Sequence, residues 1–276
     1  MKILVPTDFS IFADLAFNAA ILFAKKLNAE IHVYHSANVP DDWEDLKAYI
    51  RYLDEENKKV TIEVRRKLKQ LKWKAEAEGV KCEYHYTGGK FLKNFTEITD
   101  KIDFDLIIMG SHGVSGKEEW FLGSNTQKVV RKLHKNVLVL KNELKSLTFT
   151  DVLFVTGLDK EDQEAFRKFL SFIEPFDVKK IHVMTVDTAR FFTPPPVLVN
   201  PILDEFKEIA KGKNVETHFY TDFSIEAGVR HFTEEFGVDL VGMSNHVRHP
   251  LKRILTGSNV EMVVNHLNAP VITIDY

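Results

Sequence analysis

The chain has 276 residues, 44% hydrophobic and 28% charged, which suits one large soluble domain or two of ordinary size. Lys and Arg number 37 against 40 Asp and Glu, a formal net charge of -3, so the bulk charge argues against nucleic acid and anionic membrane as partners. The one cysteine, Cys82, excludes an intrachain disulfide and a cysteine-rich zinc site, and reads as a small core residue.

The N-terminal apolar run is too short for a signal peptide, being ended by Pro6 and Asp8, and no stretch reaches the length of a membrane span. The expected compartment is the cytoplasm. Residues 2–6 read as a buried strand that ends in the loop Pro6-Thr7-Asp8-Phe9-Ser10. From Phe12 to Ala24 apolar residues recur three and four apart, which predicts a helix with Ser10 as its N-cap. A strand is expected over 30–36, then one long charged helix from Asp41 to about Glu78, stopped by Gly79. Within that helix Trp43 and Trp73 are expected to be packing anchors. Further strands are expected over 80–86, 105–109 and 137–140, with helices over 91–102 and 124–134. His32 and His35, three apart on a strand, face opposite sides and make a poor metal pair.

The second half runs through the same order, with strands over 152–155, 180–186, 215–220, 239–243 and 270–274. Helices are expected over 160–172, near 200–210, over 225–236 and over 258–266. Sliding Asp105 onto Asp239, an offset of 134, keeps register without a gap to Leu140 and Ile274. Eleven pairs are then identical, among them Met109/Met243, His112/His246, Gly123/Gly257, Ser124/Ser258 and Asn125/Asn259. The chain is an internal duplication, with expected domains 1–145 and 146–276. Strands alternating with helices predict a mostly parallel five-stranded sheet in each, with ligands at the carboxyl ends of the strands.

The residues that carry chemistry lie after the fourth strand of the first half. Gly110-Ser111-His112-Gly113 is followed, after nine residues, by Gly123-Ser124-Asn125. Glycines let a backbone come close to a ligand, and a helix start offers free N–H groups to an anion. The spacing suits a di- or triphosphate. It is neither a Walker A loop nor a Gly-x-Gly-x-x-Gly fingerprint.

This pattern, Gly-x2-Gly-x9-Gly-Ser, together with the opening strand ending in Pro6-Thr7-Asp8, resembles the universal stress protein family. The resemblance spans the chain as a tandem pair and is specific in the first half. It implies two adenine nucleotide alpha hydrolase-like, Rossmann-like domains and a cytoplasmic sensor or regulatory module. The implied cofactor is ATP or a related adenine nucleotide, with magnesium as accompanying ion. By that resemblance Pro6, Thr7 and Asp8 face adenine and ribose, and the backbone near Ser36 packs on adenine. Gly110, Gly113, Gly123, Ser124 and Asn125 would hold ribose and phosphates. The family's final strands mediate dimer contact, so the halves are expected to pair within the chain, with a homodimer as a further option.

The second half departs from the pattern. Ser244, Val247 and Pro250 replace Gly110, Gly113 and Gly116, and the acid of the first loop is displaced by one near Thr156-Gly157-Leu158-Asp159. One nucleotide site is therefore expected, in the first half. No nucleophile–base pair or magnesium-holding carboxylate pair is recognisable, so at most slow ATP hydrolysis is expected. The rival readings are a nucleotide-independent scaffold, a weak hydrolase and an adenine-nucleotide-using transferase.

Overall fold

A computed structural model of the chain describes residues 1–111, 124–188, 195–245 and 260–276, Ser124 by its backbone alone. Two compact units result: Met1–Gly110 with Glu143–Lys145, and Ser111–Asn142 with Ser146–Tyr276. No described helix is long and apolar enough to cross a membrane.

The first unit contains β1 (Lys2–Pro6), α1 (Ile11–Leu27), β2 (Glu30–Ala37), α2 (Ala48–Leu53), α3 (Glu55–Ala77), β3 (Cys82–Gly88), α4 (Phe91–Lys101) and β4 (Leu106–Gly110). Its strands lie in the order β3-β2-β1-β4, and β1 runs parallel to both its neighbours. Ile3, Leu4 and Val5 are wholly buried, as a strand covered on both faces requires. Cys82 is also buried, and desolvation pushes its thiol up to about 12, so it is a core residue with no thiolate character. α1 starts where Ser10 accepts from the Ala13 N–H at 3.3 Å and stops at Asn28, which takes the left-handed conformation at φ 49°. Its buried face is rich in alanine, at Ala13, Ala16, Ala19, Ala20 and Ala24, which lets the helix lie close to the sheet.

The expected single helix over 41–78 is interrupted. Asp54 leaves the helical conformation between α2 and α3 and caps α3, accepting from the Asn57 N–H at 3.1 Å. Asp competes locally with helix bonding, and this override is invisible to a charge-and-period reading. α3 buries Thr61, Val64, Leu68 and Ala75, one stripe at helical spacing. Trp43 is buried, as expected of an anchor; Trp73 is 61% exposed and is not one.

The second unit contains α5 (Ser124–Lys132), β5 (Val137–Leu140), β6 (Asp151–Val155), α6 (Lys160–Ile173), β7 (Lys180–Asp187), α7 (Pro196–Ile209), β8 (Val215–Thr221), α8 (Ile225–Phe236), β9 (Leu240–Ser244) and β10 (Val271–Ile274), with a helical stretch over 260–266. α7 begins earlier than its predicted start near 200, because a proline at its first turn sets the helical φ. The strand order is β5-β10-β9-β6-β7-β8. All these pairs are parallel except β5 with β10. Phe154, Phe166, Phe169 and Phe206 form the aromatic core under β6, with centroids 5.1–6.4 Å apart.

The pairing of β5 with β10 realises the expected meeting of the two final strands. Leu138 lies opposite Ile272, its own counterpart at the offset of 134, while Val137 faces Thr273 and Val139 faces Val271. Counterpart residues exchanging partners in this way are the mark of a local two-fold. The Gln127 amide donates to Glu261 at 2.5 Å, again a residue meeting its counterpart.

Candidate functional site

Because the strands of the first unit are parallel, their carboxyl ends share one edge. The chain passes from β1 to β2 and β3 on one side, then to β4 on the other, so the switch point lies between β1 and β4. Pro6 ends β1 and Thr7 and Asp8 follow it directly, Ser36 lies near the end of β2, and Gly110 ends β4. These five predicted residues are brought to one edge of the first unit. Ser124 and Asn125 open α5 in the second unit, with Asn125 exposed. Gly113 and Gly123 lie outside the described residues.

The loop after β1 holds itself in shape. The Thr7 N–H donates to Tyr34 O at 2.8 Å, extending the β1–β2 pairing by one residue. Phe9 then turns the chain at φ 61° and donates its N–H to Thr7 Oγ1 at 2.9 Å. Asp8 Oδ1 accepts from the Ser10 N–H at 3.0 Å, and the residue is exposed just beyond the end of β1. His35 locks the loop from the side: its Nδ1 lies 2.7 Å from Thr7 O, so that nitrogen carries the proton, and its ring packs on Phe9 at 4.5 Å. Burial pushes the His35 pKa down against the opposing pull of the Thr7 carbonyl and Asp8, so the ring is neutral at pH 7. The Lys67 ammonium lies 5.0 Å from the Phe9 ring.

Two predicted residues have structural duties that the sequence did not reveal. Ser36 donates its hydroxyl to Gly89 O at 2.8 Å, tying β2 to the turn after β3. Its side chain is thus committed, and its backbone alone remains for a ligand. A Cβ at Gly110 would stand 1.9 Å from Phe12 O and 2.4 Å from Phe12 C, backbone atoms of the first turn of α1. Glycine at 110 is therefore demanded by the packing of α1 on the end of β4, whatever binds there.

The same edge of the second unit repeats the loop and changes its chemistry. Thr156 donates its N–H to Met184 O at 2.9 Å, Leu158 turns at φ 67° and donates to Thr156 Oγ1 at 2.8 Å. These bonds match Thr156 with Thr7 and Leu158 with Phe9, so Gly157 stands where Asp8 does. Asp159 then falls at the place of Ser10, two positions on rather than one, and it caps α6 by accepting from the Asp162 N–H at 3.0 Å. It is a helix cap, which corrects the reading of the first-loop acid displaced by one. The acid that does face this edge is Asp162, 1% exposed, which accepts from the Gly157 N–H at 2.5 Å and the Thr156 hydroxyl at 3.0 Å. Alanine, Ala13, holds that place in the first unit. Asp162 was missed because only the loop hydrogen bonds fix the register of this gapped stretch. The buried Ser244 stands at the place of Gly110.

For an adenine nucleotide, the first edge offers a fitting acceptor: an exposed carboxylate able to accept from ribose hydroxyls. The second offers a buried carboxylate already holding the loop N–H, and such a group repels phosphate.

The universal stress protein family model matches residues 1–141 and again 148–275. A universal stress protein of Methanocaldococcus jannaschii is 33% identical over 155 residues, covering 51% of this chain and 95% of its own. A second from the same organism is 31% identical over 152 residues, covering 52% and 84%. The crystal structure of a universal stress protein from Archaeoglobus fulgidus superposes with a TM-score of 0.77 at 20% identity, covering 99% of this chain and 98% of that one. That likeness concerns the fold. With nearly every residue inside one of two successive matches and the fold shared end to end, the chain belongs to the universal stress protein family as a tandem pair.

Proposed function

We propose that the first repeat, residues 1–145, binds ATP or a related adenine nucleotide at the carboxyl edge of its strands, and that the chain acts as a cytoplasmic regulatory module that responds to it. The observation that carries this reading is the exposed Asp8 carboxylate at the β1–β4 switch point. It stands in a chain of this family whose Gly110-x2-Gly113-x9-Gly123-Ser124 spacing is intact. Asp8 takes the ribose hydroxyls, Thr7 and the Ser36 backbone border the base, and Gly110, Gly113, Gly123, Ser124 and Asn125 hold the phosphates. The second repeat, residues 146–276, takes no nucleotide in this manner, because Gly157 replaces Asp8 and Asp162 occupies the loop N–H.

Titration calorimetry of ATP into the full chain, with and without Mg2+, tests the reading. Saturable heat is expected, weakened at least about tenfold by Asp8→Ala, since a hydrogen bond to a charged group is worth roughly 1.5–3 kcal/mol. Absence of heat at high protein concentration sinks the reading. One observation favours a nucleotide-independent scaffold instead: Gly110 is already explained by Phe12. Under that alternative, Asp8→Ala leaves every binding measurement unchanged.

A further inference from the structure

Both repeats pair a histidine of their second strand with one of their third. In the first unit His32 Nδ1 lies 2.9 Å from His85 Nε2; in the second, His182 Nδ1 lies 2.9 Å from His218 Nε2. The β7–β8 register sets His182 beside Glu216 and Met184 beside His218. Glu216 and His218, two apart on a strand, share a face, and His182 reaches them from the neighbouring strand. One ligand atom from each of the three lies within 4.8 Å of the others.

We infer that His182, His218 and Glu216 form a divalent zinc site in the second repeat. The donor set, two imidazoles and a carboxylate, is one that Zn2+ takes with a fourth position left to water. Zn–N bonds of about 2.0–2.1 Å at a tetrahedral angle need nitrogens about 3.3 Å apart, so the pair opens by a few tenths of an ångström. The metal takes the place of the proton now shared between the rings, and that proton moves to the far nitrogen of its own ring, so that each imidazole presents a lone pair and stays neutral.

The surroundings fit this use. His182 is 1% exposed, and its other nitrogen, Nε2, is buried without a hydrogen-bond partner, 3.6 Å from Asp151 Oδ1. A carboxylate behind a metal-bound imidazole is the usual orienting group, and a small shift brings Asp151 into that bond. Phe232 and Phe236 pack on both rings from α8, with centroids 4.7–5.6 Å away, and wall the site on that side. Glu216 is exposed and opens it to solvent. Its present partner is Lys180, at 2.8 Å, which the metal must displace.

The first repeat supplies an internal contrast. There His32 Nε2 lies 3.1 Å from Glu30, and Glu83, at the place of Glu216, pairs with Lys72 at 3.3 Å. Among the described residues, no equivalent trio converges in that unit. The His32–His85 pair is a plain hydrogen bond.

The test uses the full chain, stripped with chelator and titrated with Zn2+ by calorimetry, and with Co2+ followed by its visible d–d absorption. One tight equivalent per chain with a tetrahedral Co2+ spectrum is expected. His218→Ala should abolish it, and Asp151→Asn should weaken it by roughly 10–100-fold. Glu216→Gln, at an exposed position that leaves the fold intact, should weaken it at least about tenfold. Lys180→Met should strengthen it, and His85→Ala should leave it unchanged. No saturable binding, or binding indifferent to Glu216→Gln and Lys180→Met, overturns the assignment.

Discussion

Gly110 shows how one residue can satisfy a motif for a reason the motif does not state. The sequence marks it as a place of close approach, and the structure agrees, but the approaching group is the Phe12 backbone. Gly110→Ala is therefore expected to destabilise the fold by about 1–3 kcal/mol or more in urea unfolding, with or without nucleotide. A stability loss confined to the nucleotide-bound form would contradict this. The buried histidines make a second residue-scale case. Burial holds His85, His182 and His218 below the ordinary imidazole value of 6.5. Around the second pair, Lys180 reinforces the fall, while Asp151 and Glu216 oppose it. With folded values below unfolded ones, the unfolded chain binds more protons as pH drops. The stability these rings contribute is present above about 6.5 and is lost as pH falls below it. Thermal melts in chelator should shift down between about pH 7.5 and about pH 5.5, and less so in His218→Gln.

Among the elements, β5 and β10 carry the most consequence. Their Val, Leu and Ile runs read as strand edges in want of a partner, and each supplies the other's. Lys141 follows β5 directly and is buried, with its ammonium donating to Asn265 O. Desolvation lowers its pKa from 10.5 to about 8, partly offset by Glu226. Because the folded value lies below the unfolded one, the penalty is full below about pH 8 and disappears as pH rises towards 10.5. That shift corresponds to about 3 kcal/mol near pH 7. Lys141→Met is expected to recover part of it, about 1–2 kcal/mol by denaturant unfolding, after loss of the Asn265 bond. Destabilisation by this variant would mean that the ammonium contributes more through that bond than burial costs it.

At the scale of the whole molecule, the duplication keeps the backbone and divides the chemistry. Thr7 and Thr156 make matching bonds in matching loops, yet an exposed acid follows one and a glycine the other. The proposed consequence is one nucleotide per chain. Asp8→Ala should lower ATP affinity and leave the melting temperature in place. Asp162→Ala should do the reverse, costing about 1–3 kcal/mol by leaving the Gly157 N–H and Thr156 hydroxyl without their acceptor. Calorimetry and thermal unfolding of the two variants side by side check this; equal loss of affinity in both would contradict the asymmetry.

The tandem repeat, the alternating strands and helices, and the β1 loop with its Ser10 cap were all legible in the residues. These depend on local pattern: periodicity, turn chemistry and an ungapped offset. The break at Asp54 was not, because a short polar side chain bonding its own backbone outweighed a continuous helical period. Neither was the work of Asp162, nor the meeting of His182 with His218, for these partners are far apart in sequence and are joined only by strand register. The amino-acid sequence by itself determined which segments form the sheet and that they do so twice. Tertiary structure decided which side chains meet across it, because contact between strands depends on their order and register, and a pattern read along the chain contains neither.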